Sequence, residues 1–425
     1  MSDIKPTDRQ LEYQDWEFGV FLHFGIRTFY EGFKDWDGRK MEAAAFLPTD
    51  LDCEQWAATA EAAGAKYMVL TAKHHDGFAN WPSKYTDFSV AGSSWRDGKG
   101  DVVRDFVSAC RRHNLKVGLY YSPADASSSA FGAGDAKAYD NYFIGQISEI
   151  LTGYGEIDIL WFDGCHSENH EYDWIRICGE IRLMQPNVLI FNMGDPDFRW
   201  VGNEAGVAPI PTWNAVSALD FSVLADRKKE LESDEPKWLP AECDCRMRYS
   251  NWFYSDQDEL TVKSLEQLMG IYYLSVGRGC NLLINIGPDR RGLLPDIDSQ
   301  RLIELGREVR RRFANPSATL ETAIVGEDTV SWKFSDPGIL TDHIVLQENL
   351  AEGEHIRRFR IEGHIPHVPF ENPVTLWEGQ NIGHKAICRF PLTPLNGLTI
   401  RILESSAKWS LRSIDLYNCS ADGAG

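Results

Sequence analysis

Short apolar runs alternate with longer, helix-patterned stretches through about the first 315 residues. The runs "FGVFLHF" (18–24), "YMVLTAK" (67–73), "KVGLYYS" (116–122), "IDILWFDG" (157–164) and "VLIFNM" (188–193) read as strands. They are nearly continuous in apolar residues, as strands covered on both faces are. Weaker runs follow near 219–224 and 238–243, and then comes "NLLINIGP" (281–288). Between them "LDCEQWAATAEAAG" predicts a helix closed by Gly64, and "DVVRDFVSACRRHN" one opened by Asp101 and ending near Asn114. "YDNYFIGQISEILTGYG" and "YDWIRICGEIRLMQPN" predict two more. Eight such strands in about 300 residues predict a (β/α)8-like barrel. A doubly wound sheet fits less well, because no GxGxxG turn follows the first strand. The stretch 195–240 lacks helical period, so one or two barrel helices are expected to be replaced by loops.

The pattern changes after "EVRRRFANPSATLET", where Asn315-Pro316 breaks the last helix. Beyond it come short strand-like segments such as "TVSWKFS", "HIVLQENL", "IRRFRIEG" and "LTIRILES", parted by turn residues. That spacing predicts a β-sandwich. The expected division is a catalytic barrel over 1–316 and a C-terminal β-sandwich over 317–425.

Barrels of this kind carry their chemistry at the C-terminal ends of the strands. Here the strands end on His23, on His74-His75-Asp76, on Tyr120-Tyr121, on Asp163, on Asn192 and Asp195, on Glu242 in "WLPAECD", and on Asn285. Asp163-Gly164 reads as a turn on dipeptide chemistry alone. Metal hydrolysis could use His23, His74, His75 and Asp163 as ligands, but adjacent strand residues point opposite ways and no HxH or HxxxH spacing is present. A nucleophilic triad lacks its elbow, since Cys165 is not framed as G-x-S-x-G. Glycoside hydrolysis needs two carboxyls across a sugar, and Asp163 and Glu242 supply two from separate strand ends. His, Tyr and Trp around them suit hydroxyl bonding and ring stacking.

Composition narrows the partners. The net charge is −20, and from Leu320 onward 9 Lys+Arg stand against 14 Asp+Glu, so the acidity is spread along the chain. Neither nucleic acid nor an anionic membrane is an expected partner. Nine scattered cysteines without a CxxC pair read as mostly free and buried, with no metal or cofactor implied. No run reaches the ~20 apolar residues of a membrane span. The polar start "MSDIKPTDRQ" is no signal peptide, which leaves a cytoplasmic protein or a secreted one whose signal has been removed. Oligomeric state is not readable.

The segments "FGVFLHFGI", "AKHHDGFANWPSKYTDFSV", "LWFDG" and "NLLINIGPDRRGLL" resemble the α-L-fucosidases of glycoside hydrolase family 29. The likeness continues through "DHIVLQENLAEGEHIRRFRIEG" and "GQNIGHKAICRF", and so covers nearly the whole chain. "HHDGFANWPS", "FRWVGNEAG", "PAECD" and "IYYLSVGR" look like the branch that prefers α-1,3/1,4-linked fucose in branched, Lewis-type glycans. The resemblance implies a retaining exo-α-L-fucosidase with Asp163 as nucleophile and Glu242 as acid/base. It implies His23, Trp36, His74, His75, Tyr120, Trp161 and Arg248 as substrate contacts. Asp195, Arg199 and Glu204, after the fifth strand, are candidates for a subsite that holds the branching sugar. Three departures stand out: Asp35 where the family has Glu, a longer "RYSNWFYS" after Glu242, and Ala79-Asn80 where Cys-Leu is frequent. The alternatives are a broad-specificity α-L-fucosidase acting on aryl or α-1,2/1,6 fucosides, or a catalytically weak fucose-binding protein.

Overall fold

The computed structural model describes residues 4–30, 39–132, 135–220, 228–230, 235–366 and 373–420. Eight parallel strands form one sheet: β1 (Phe18–Leu22), β2 (Tyr67–Lys73), β3 (Lys116–Tyr121), β4 (Ile159–Phe162), β5 (Leu189–Phe191), β6 (Arg199–Trp200), β7 (Ala241–Arg246) and β8 (Asn281–Asn285). Hydrogen bonding runs β5–β4–β3–β2–β1–β8–β7–β6, so sequence order is also spatial order. A single parallel bridge, Phe191 to Phe198, joins the two ends and nearly closes the ring. This is the (β/α)8-like barrel that the apolar pattern predicts.

Helices α1 (Asp8–Trp16), α2 (Cys53–Ala63), α3 (Val102–Arg112), α4 (Ala136–Gly153), α5 (Trp174–Met184), α6 (Leu265–Leu274) and α7 (Asp296–Phe313) surround or cap the ring. The Asp52 and Asp101 side chains cap α2 and α3 by accepting from the amides of Gln55 and Arg104. Gly64 closes α2 with φ of 84°. Among the described residues no helix lies between β5 and β7. The sixth barrel strand is Arg199–Trp200; the run near 219 instead forms Ala218–Asp220, paired with Lys228–Glu230 outside the ring. Two residues sufficed for β6, too short for an apolar run to reveal it. No described helix is long and apolar enough to cross a membrane, and all nine cysteines are free.

After α7 the chain makes two antiparallel sheets of four and five strands. Trp332, Phe359, Leu398 and Ile414 belong to their shared apolar core.

The barrel interior is filled, not hollow. Inward residues include Phe21, Tyr67, Val69, Tyr120, Ile159, Trp161, Leu189, Phe191 and Leu283. Space for the large rings comes from glycine: a Cβ on Gly19 would lie 2.5 Å from the Tyr67 ring. Gly19→Ala is therefore expected to destabilise the fold by about 1–3 kcal/mol through overpacking. Urea unfolding should show a lower midpoint at unchanged slope.

Candidate active site

One cavity of about 540 Å³, counting the solvent at its mouth, opens at the C-terminal ends of the strands. Its lining includes His23, His74, Tyr120, Trp161 and Asp163. Trp200, Glu204, Asp244 and Trp252 line it as well.

Asp163 follows directly on β4. Its Oδ1 accepts the Cys165 amide at 2.9 Å, the two-residue loop expected of an Asp-Gly turn. Its Oδ2 accepts the Tyr120 hydroxyl at 2.9 Å and lies 3.5 Å from His75 Nε2. The turn thus fixes one carboxylate oxygen, and the neighbouring strand orients the other.

The histidines are buried and neutral. Burial holds His23 down to about 3 and His75 to about 4, and pushes His74 well below the usual imidazole range. Asn285 Nδ2 donates to the Trp252 carbonyl at 2.7 Å, which turns its Oδ1 toward His23 Nδ1, also at 2.7 Å. His23 therefore donates through Nδ1 and keeps a bare Nε2, an acceptor suited to a hydroxyl. Ser122 donates to the Ala124 carbonyl and accepts from His75 Nδ1 at 2.6 Å. Buried ion pairs Arg27–Asp76 at 3.0 Å and Lys73–Asp125 at 2.8 Å flank this histidine segment. His74 stacks on Tyr120 at 5.5 Å between centroids and 9° between planes.

Glu242 lies on β7, deeper in the barrel than Asp244. Strand β7 does not stop at that residue but runs on to Arg246. Side chains alternate along it, so Glu242, Asp244 and Arg246 share the inward face while Cys243 and Cys245 pack in the outer core. Each inward step rises about 6.6 Å. Asp244 reaches the cavity lining, and Glu242 sits one step deeper, 1% exposed and outside that lining. Its carboxylate accepts from Tyr13 Oη at 2.9 Å, Tyr67 Oη at 2.7 Å and Trp161 Nε1 at 2.8 Å. It is not among the residues that line the cavity with Asp163.

Glu204 does share the cavity with Asp163. An antiparallel bridge between Ala205 and Cys245 lays its loop along β7, and Arg246 Nη1 stands 3.8 Å from Glu204 Oε2. Burial raises the Glu204 pKa, Arg246 opposes this, and the charge on Asp163 adds to it. Asp244, 4% exposed, accepts the Trp200 indole N–H at 2.6 Å. Burial, then the charge on Glu204, lift its pKa well above the carboxylate range.

Other expected contacts lie elsewhere. Arg248 is buried in ion pairs with Asp298 at 2.8 Å and Asp258 at 3.1 Å, away from the cavity. Arg199 is turned into the protein, donating to the carbonyls of Trp200 and Trp213. Asp195 is exposed and pairs with Lys237 at 2.8 Å. Asn80 points inward and donates to the carbonyls of Phe24 and Thr71. Asp35 and Trp36 lie outside the described residues. Asp244, Trp200 and Trp252 join the cavity without a strand-end signal, and the alternation in "ECDCR" is what marks Asp244 in the sequence.

An aromatic-walled pocket at a barrel mouth, with carboxyls from separate strands, is the architecture of a glycoside hydrolase. The comparisons specify which one. A family model described as Alpha-L-fucosidase matches residues 2–311. Alpha-L-fucosidase 1 of Arabidopsis thaliana is 37% identical over 316 residues, 73% of this chain and 61% of that protein. The crystal structure of a glycoside hydrolase 29 family member from a rumen bacterium superposes with a TM-score of 0.87 at 31% identity, covering 99% of this chain and 79% of that one. The Ruminococcus gnavus GH29 fucosidase in complex with fucose gives 0.83 at 25% identity, covering 98% and 95%. The chain belongs to the alpha-L-fucosidase family.

Tyr120→Phe removes one donor from Asp163 and keeps the ring. Turnover of an aryl fucoside is expected to fall roughly 10- to 100-fold, as for loss of a hydrogen bond to a charged group. Circular dichroism should remain unchanged.

Proposed function

We propose that this protein is a retaining exo-α-L-fucosidase in which Asp163 is the nucleophile and Glu204 the acid/base. The observation that carries the reading is that these two carboxyls line one sugar-sized cavity, with Asp163 held by Tyr120 and the Cys165 amide. Asp163 attacks the anomeric carbon while Glu204 protonates the departing glycosidic oxygen. Glu204 then takes a proton from water, which displaces the Asp163 ester. The environment supports the cycle. Burial and the Asp163 charge favour the protonated Glu204 of the resting enzyme. Esterification of Asp163 removes that charge, and Arg246 then stabilises the carboxylate needed as base.

The substrate is proposed to be a fucosylated oligosaccharide or glycoconjugate with α-1,3/1,4-linked fucose on a branched core. "FRWVGNEAG", which supplies both Trp200 and Glu204 to the cavity, supports that linkage. Asp195 and Arg199 are not carried into this proposal as subsite residues, because both are engaged elsewhere. A division near residue 316 into catalytic barrel and C-terminal sandwich is part of the same proposal; α7 ends at Phe313 and the next strand begins at Ala318.

Asp163→Ala is expected to lower turnover on every fucoside by at least about 10⁴-fold. Glu204→Gln should cost about 10²–10⁴-fold on a poor leaving group and far less on an activated aryl fucoside. Equal losses on both would remove Glu204 from the role.

The alkaline limb of kcat/KM should follow Glu204. Activity needs its proton, so it persists below the pKa and is lost as pH rises through it. That limb should lie above the ordinary glutamate value of 4.5. Arg246→Met, which deletes the cation that lowers it, should move the limb to higher pH.

Fucose release should be compared for a Lewis-type trisaccharide, an α-1,2-fucosyl disaccharide and an aryl fucoside. Preference for the first is expected. Equal rates on all three would indicate the broad-specificity reading, and binding without release a fucose-binding protein.

A further inference from the structure

Four rings stand in series along the pocket wall. Phe191 stacks on Trp161 with centroids 4.0 Å apart and planes 17° apart. Trp161 stacks on Tyr120 at 5.3 Å and 20°, and Tyr120 on His74 at 5.5 Å and 9°. All four line the cavity. Stacking fixes the spacing between such rings, Phe21 packs at an angle against both Trp161 and Tyr120, and polar edge contacts set the remaining in-plane orientation. Tyr120 has one such contact, its hydroxyl on Asp163. The indole of Trp161 has another, Nε1 to Glu242 Oε1 at 2.8 Å.

Glu242 is well placed to hold that edge. Its other oxygen is gripped by two tyrosine hydroxyls from different elements, Tyr13 on α1 and Tyr67 on β2. Tyr13 packs on Phe198 at 4.4 Å and Tyr67 fills the space left by Gly19, so neither donor can readily swing away. A carboxyl with three donors and almost no solvent exposure is a rigid acceptor. The proposed chemistry of the pocket does not use it.

We propose that Glu242 is the positioning residue of the sugar pocket: it sets the indole of Trp161 in the ring stack and, through Tyr120, the orientation of Asp163. This rests on the Asp163–Glu204 reading of the site. The role requires an acceptor at Oε1 and not an ionisable acid, and that separates it from an acid/base.

The test compares Glu242→Gln with Glu242→Met in the full chain. Gln keeps the acceptor for Trp161, and the tyrosine hydroxyls can rotate to accept from its amide. Met keeps the volume and removes the acceptor. Glu242→Gln is expected within about fivefold of the parent in kcat, and Glu242→Met about 10- to 100-fold down, the cost of a misplaced reacting group. The Met loss should be equal on an aryl fucoside and a Lewis-type trisaccharide. In a Trp161→Phe background, which has no indole N–H, Glu242→Met should add less than about threefold.

A loss in Glu242→Gln that grows with leaving-group pKa would overturn the proposal and return Glu242 to acid/base. Parent-like Glu242→Met would overturn it too, as would full additivity with Trp161→Phe. If Glu242→Met does not fold, Tyr13→Phe combined with Tyr67→Phe frees the same carboxylate without a cavity. The same uniform fall in kcat is then expected, and an unchanged kcat overturns the proposal. Failure of the underlying site reading shows separately, as a Glu204→Gln loss that ignores the leaving group.

Discussion

In a nearly closed ring of parallel strands each residue faces either the interior or the helices, and the interior must be filled. The strand-borne part of this pocket follows from that alternation. On β4 it turns Ile159 and Trp161 inward and carries Asp163 to the rim. On β7 it turns Glu242, Asp244 and Arg246 inward at three depths, of which the lowest is core and the next is pocket wall. The floor of the cavity is therefore the top layer of the barrel core, not a separate structure. A change of packing two layers down, at Gly19 or Tyr67, bears on the site through contacts that can be followed ring by ring.

The electrostatics have the same origin. Three carboxyls, Asp163, Glu204 and Asp244, share the cavity, and Arg246 stands beside Glu204. The adjacent histidines are neutral because they are buried, so they bring hydrogen bonds and no positive charge. Burial and the charge of a neighbouring carboxyl both disfavour the ionised form. Asp244 and Glu204 are raised for that reason, and burial is the first cause in each. A sugar meets a site whose acids and hydroxyl acceptors are set before it arrives.

Much of this was legible along the chain. Near-continuous apolar runs marked seven of the eight barrel strands, and Gly64 and Asp101 marked helix ends. The strand-end rule found His23, His74, Tyr120, Asp163 and Asn192, all in the cavity lining, and the family resemblance added Trp161. It failed where a strand end could not be located. "WLPAECDCRMR" has no abrupt apolar-to-polar switch, so the first acid was read as the end, two inward positions too early. The loop carrying Glu204 has no period at all, and its course depends on one bridge to β7. The family resemblance offered Arg248 as a substrate contact, whereas its charge is paired with Asp258 and Asp298.

By itself the sequence determined the kind of barrel, its family and the place of Asp163 at a strand end, because these depend on periodicity and on contiguous motifs. Only the tertiary structure decided which acids share a cavity with Asp163. Depth inside a barrel is a matter of strand length and register between chain segments far apart in sequence. Glu242 and Asp244 differ by one inward step, and Glu204 comes to them from another loop. No local pattern encodes such a distance; it exists only once the ring has formed and its interior has been filled.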